Sequence, residues 1–122
     1  GGLMTTNERR AFPRVSLRVG VGYKVIASLE KKTGPLICSK DISETGIRIV
    51  ALEKLNPGVM LEIKFLLPDL KESISVIGRV VWTEEFMVGN LSSSKAYEVG
   101  VEFVSVNKED KEKINQFVTT RL

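Results

Sequence analysis

Two clusters of side chains in this sequence are suited to gripping an anion. The first is NERRAFPR, residues 7–14, where Arg9, Arg10 and Arg14 surround a Phe-Pro pair. Arginine forks onto phosphate and onto the Hoogsteen edge of a purine, and its plane stacks on π faces. The second is DISETG, residues 41–46, of the form Asp-x-Ser-x-x-Gly. An ionised Asp41 can accept hydrogen bonds from a base edge such as that of guanine, and Ser43 can donate to phosphate. Gly46 admits positive φ or a close backbone approach.

Each cluster also has a plainer reading. Charge runs are usually solvated, so the arginines can be a solubilising arm ahead of the first strand. Asp41 and Ser43 can bond the amides of a tight turn that Gly46 closes. Pro13 presses Phe12 towards extended backbone, so Arg10 and Arg14 are not a helical i, i+4 pair.

Other chemistry is excluded by composition. The chain has 122 residues, no histidine and one cysteine, Cys38. Ser-His-Asp and Cys-His catalysis, His-dependent zinc sites and thiolate clusters are therefore ruled out. No nucleophile has a neighbouring base, no Walker-type loop is present, and no carboxylate pair is placed about a scissile bond, so no enzyme is expected. A lone cysteine forms no internal disulfide and suits a reducing cytoplasm. Cys38 is expected to be a small buried hydrophobe. The net charge of +3 is too mild for indiscriminate DNA binding. No apolar run approaches the ~20 residues of a membrane span. The opening Gly-Gly-Leu before Met4 reads as an expression scar, with no signal-peptide pattern.

The elements that must position these residues follow from hydrophobic periodicity. Residues 15–25 alternate with period two, from Val15 to Val25, and predict one long half-buried strand. Further strands are expected at residues 36–40, 47–52, 61–67, 73–83 and 97–103, with turns at 31–35 and 56–58. Gly78 marks a bulge in the fifth strand. Residues 84–96 read as a long polar loop. Asn107 is an N-cap followed by Glu109 and Asp110, and Ile114, Phe117 and Val118 form a short apolar stripe. Six strands without intervening helices argue for an all-β antiparallel barrel or sandwich with the C-terminal helix as a lid. The expected organisation is an arm at residues 1–14, a barrel at 15–106 and a helix at 107–122. Arg48 and Arg79 lie on strands and are expected at solvated exterior positions, the other reading being that they extend the positive surface. Trp82 shares parity with Val76 and Val80, which favours the core.

Both motifs together arise by chance in roughly one such chain in fifty. With RAFPR ahead of the first strand and DISETG behind the second, the chain resembles the PilZ domain family, receptors for the bacterial second messenger cyclic di-GMP. GVEF, residues 100–103, is similar to that family's closing strand, and the likeness runs from Glu8 into the final helix. The resemblance implies a six-stranded antiparallel barrel with a C-terminal helix. It implies cyclic di-GMP as ligand, with no other cofactor, held by Arg10, Arg14, Asp41, Ser43 and Gly46. By the same resemblance Arg9 favours a stacked pair of ligands, and Trp82 is an aromatic that stacks on guanine. Ligand binding would order the arm and alter contact with an unidentified downstream protein in motility, exopolysaccharide or pilus control. Two other classes stay open: a PilZ-like interaction module without ligand, and a small barrel binding single-stranded nucleic acid. The second needs several exposed aromatics, and aromatics here are 7%.

Overall fold

The computed structural model describes residues 13–26, 37–68, 73–88 and 94–122. Within them lie strands β1 (Val15–Ser16), β2 (Gly20–Val25), β3 (Ile37–Ile42), β4 (Gly46–Ala51), β5 (Met60–Leu66), β6 (Ser73–Met87) and β7 (Lys95–Val106), then helix α1 (Lys108–Thr120). Every pairing is antiparallel. Strand β3 pairs with both β2 and β4, so β2, β5, β6, β7, β4 and β3 close into a six-stranded barrel. Closure removes the free edges that an open sheet would present. The short β1 lies along the remaining length of β3.

The long first strand expected from periodicity is broken into β1 and β2. Leu17 N–H still donates to the Lys40 carbonyl at 3.0 Å, and the buried Ser39 hydroxyl fills the gap. It accepts from Val19 N–H at 3.1 Å and donates to the Leu17 carbonyl. A serine on the inner face of a barrel is thereby satisfied by backbone that the break would otherwise orphan. Other inward positions of the barrel are apolar: Ile47, Ile49, Leu61, Ile63 and Ile74 are fully buried. Helix α1 adds Ile114, Phe117 and Val118 to the same core, which contributes about 1.5–3 kcal/mol for each side chain removed from water. Its N-cap is Asn107, whose side chain accepts from Asp110 N–H at 2.8 Å.

Two strands run further than periodicity indicates. β6 reaches Met87 and β7 starts at Lys95, with Phe86 opposite Ala96, so the expected polar loop at residues 84–96 is in part a two-stranded ribbon. The bulge beside Gly78 is present, but the extra residue is Val104 on β7. Gly78 itself is needed because a Cβ there would meet the Val101 side chain.

Candidate functional site

The register of the barrel builds the site as one row across its outer face. Ser16 lies opposite Asp41, Asp41 opposite Arg48, Arg48 opposite Gly100 and Gly100 opposite Trp82. Neighbours in such a row are spaced for side-chain contact. Two bulges put the ends of the row outside. On β3 the register shifts between Ser39 and Asp41, so Lys40 is the extra residue and Asp41 turns outward, away from the face of Ser39. On β6 it shifts between Val80 and Trp82, so Trp82 leaves the parity of the core residue Val80. Bulges re-aim side chains in this way. Trp82 is 38% exposed, which settles its position outside the core.

Arg14 enters from the residue before β1. Its Nε donates to Asp41 Oδ1 at 2.6 Å, and Nη1 reaches Ser43 Oγ at 3.4 Å. The other carboxylate oxygen, Asp41 Oδ2, accepts from Arg48 Nη2. Arg48 Nη1 in turn donates to Glu98 Oε1 at 2.9 Å, and Lys40 Nζ lies 3.1 Å from Glu98 Oε2. Asp41 does not bond turn amides, as the turn reading expects of it. Ser43 does: Thr45 N–H donates to its hydroxyl at 3.3 Å, and Ser43 N–H donates to the Gly46 carbonyl at 2.9 Å. Ser43 is buried and anchors the turn from behind. Gly46 has no positive φ, since Gly58 alone does among the described residues. It is glycine because a Cβ would run into the Val101 carbonyl oxygen.

These residues surround an open cavity of about 360 Å³ on the barrel wall, lined by Arg14, Asp41, Gly46, Arg48, Gly100 and Trp82 among others. The Trp82 indole lies over Gly100, where any Cβ would collide with it. The site thus has a carboxylate, two guanidinium groups and an aromatic plane on one surface, a combination suited to a planar anion. Ligands of this kind use arginine for both charge and stacking.

Of the residues singled out from sequence, Arg14, Asp41, Gly46 and Trp82 share the cavity wall and Ser43 supports it. Arg9 and Arg10 lie outside the described residues. Arg48, expected at a solvated exterior position, is on the outer face but is the central member of the ion network, and its Nε is buried without a hydrogen-bond partner. Glu98 counts in the sequence only as one of the carboxylates, with Glu84, Glu85 and Glu102, that no scissile bond claims, and it was not assigned to this site. Its signal is parity alone: on β7 it alternates with Val99 and lies two residues before Gly100. Arg79 is exterior and pairs with Glu102 at 3.0 Å. Cys38 is exposed, because Ser39 takes the inward position beside it. Among the described residues no helix is long and apolar enough to cross a membrane.

The family model for the PilZ domain matches residues 8–120. The chain belongs to the PilZ domain family. A search of curated proteins gave no match. Among solved structures, the chain is similar to the PilZ domain with c-di-GMP of YcgR from Escherichia coli, at TM-score 0.70 and 14% identity over 93% of this chain and 91% of that one. It is similar to the inhibitor of motility MotI/DgrA of Bacillus subtilis, at TM-score 0.70 and 20% identity, over 93% of this chain and 51% of that one. The PlzA protein of Borreliella burgdorferi in complex with c-di-GMP gives TM-score 0.64 and 10% identity, over 98% of this chain and 55% of that one. The chain therefore spans about half the length of the latter two proteins and nearly all of the isolated YcgR domain. At these identities the likeness establishes the fold.

Proposed function

We propose that this chain is a receptor domain for cyclic di-GMP that binds its ligand without turning it over. The observation that carries the reading is the outer row itself: Arg14 and Arg48 on the two oxygens of Asp41, with Trp82 on the same cavity wall. Cyclic di-GMP has two phosphates and two guanines, so it needs forked cations, a base-edge acceptor and a stacking plane. Arg14 takes a phosphate, Asp41 the guanine edge, and Trp82 a guanine face. Ser43 and Gly46 hold the Asp41 turn against β7. Arg10, and Arg9 ahead of it, reach the site from residues 1–14, and ligand binding clamps that segment to the barrel. Arg9 favours a stacked ligand pair. The clamped segment changes the surface offered to a downstream protein. Family membership and the two neighbours solved with c-di-GMP support this reading.

Calorimetric titration tests it directly. Saturable heat with cyclic di-GMP, at one or two ligands per chain, and none with a single-stranded oligonucleotide is the expected result. A flat titration of a folded sample would return the chain to the class of ligand-free interaction modules. Heat with the oligonucleotide alone would make it a nucleic-acid binder.

A further inference from the structure

We propose that Arg48 is a second phosphate-binding arginine of this site and that Glu98 holds it in reserve. The inference rests on the cyclic di-GMP reading and deepens it. Arg14 and Arg48 occupy opposite oxygens of one carboxylate. A phosphodiester presents two unesterified oxygens with a spacing close to that of a carboxylate. Asp41 therefore sets the two guanidinium groups at a separation that a phosphate can use in its turn.

The charges of the network favour such an exchange. Arg14, Arg48 and Lys40 face Asp41 and Glu98, three cations against two anions. One added phosphodiester charge brings the cluster to neutrality. Arg48 uses Nη2 on Asp41 and Nη1 on Glu98, while Nε is buried with no partner. An incoming phosphate therefore competes for the Nη groups and not for the buried Nε. Glu98 is the competitor for Arg48. When phosphate takes Arg48, Glu98 keeps Lys40 at 3.1 Å and Asp41 turns to the guanine edge, so neither carboxylate is stranded and the displacement is mild. Asp41 positions the pair, Arg48 binds, and Glu98 sets how tightly.

The sign of the Glu98 effect makes this testable. Cyclic di-GMP is titrated by calorimetry into the full chain as wild type, Arg48→Gln, Glu98→Gln and the double variant, each checked by thermal melting. Arg48→Gln weakens binding by about tenfold or more, as loss of a charge-assisted fork does. Glu98→Gln tightens it by about threefold, because a neutral amide competes less well for Arg48. The double variant matches Arg48→Gln, since Glu98 acts through Arg48. Arg48→Lys keeps the charge but not the fork, and stays weaker than wild type by about fivefold; it carries the test if Arg48→Gln fails to fold. Lys64→Gln, an exposed cation paired with Glu62, leaves affinity unchanged and controls for net charge. Wild-type affinity in folded Arg48→Gln, or a Glu98→Gln gain that persists in the double variant, overturns the inference while leaving the receptor reading intact. A flat wild-type titration removes both.

Discussion

Asp41 and Asp110 are two carboxylates of nearly equal side-chain exposure, 13% and 10%, with opposite kinds of partner. Asp110 sits in the first turn of α1, where the helix dipole favours a negative charge. It accepts from Ser75 N–H at 3.1 Å and from Asn107 Nδ2 at 3.3 Å, and so fastens the helix to β6. Those donors belong to strand backbone and to the cap. A cation, Lys113, stands off at 3.9 Å from the other oxygen, Oδ1, so the close donors are the strand amide and the cap. Asp41 is held by the side chains of Arg14 and Arg48, of which the first is 42% exposed and the second 35%. Flexible cations at the surface can transfer to another anion. Equal burial thus gives a structural carboxylate in one place and an exchangeable one in the other. The difference lies in who donates.

The sharpest way to break that contrast is Asp110→Ala. It leaves Ser75 N–H without its acceptor and removes the first-turn charge, so stability should fall by about 2–3 kcal/mol in denaturant unfolding, with cyclic di-GMP affinity of the folded fraction unchanged. Arg14→Ala should do the reverse, weakening binding by about 1–3 kcal/mol in calorimetry while the melting temperature holds. Glu53 offers an intermediate case, since its partner is the Tyr23 hydroxyl, which donates to Oε1. Burial first, and then Glu53, raise the Tyr23 phenol well above its ordinary range. A raised folded-state value means that the stabilisation is full below about pH 10 and is lost as pH climbs beyond it. Tyr23→Phe should therefore cost about 1–2 kcal/mol at neutral pH, and unfolding measured between pH 9 and 11 should show a shallower alkaline decline than wild type (about one unit either side of the phenol's ordinary value). The smallest effect belongs to Arg79→Ala. Its pair with Glu102 is about half exposed at both ends, and its removal should change stability by less than about 0.5 kcal/mol.

Residues under a single physical rule were legible in the sequence. Asn107, Asp110 and the Ile114, Phe117, Val118 stripe follow capping and the 3.6 period, and the helix is where they indicate. The barrel strands follow period two, with their inward residues in the core. The site was legible in type through Arg14, Asp41 and Ser43, but not in geometry. Parity turns Trp82 inward, and only the bulge at Val81 turns it out, while the bulge at Lys40 takes Asp41 off the face of Ser39. A bulge leaves little trace in one sequence, because the extra residue is of ordinary type. Arg48 and Glu98 were missed as site residues because their roles come from strand pairing, Arg48 with Asp41 and Glu98 with Val50, which local patterns do not contain. Gly46 was noted for positive φ or for a close backbone approach to a ligand. Its reason is the β7 carbonyl pressed against it, a contact between residues 55 positions apart (46 against 101). Cys38 was assigned by hydrophobicity, yet alternation with Ser39 decided its face.

Trp82 is the sole tryptophan of the chain and lies in the cavity wall, so its fluorescence reports on the site alone. Titration with cyclic di-GMP should quench or shift that emission along a saturating curve that coincides with the calorimetric isotherm, and Arg14→Ala should move both curves together to higher ligand concentration. Saturable calorimetric binding with no change in Trp82 emission would place the ligand elsewhere and contradict the account.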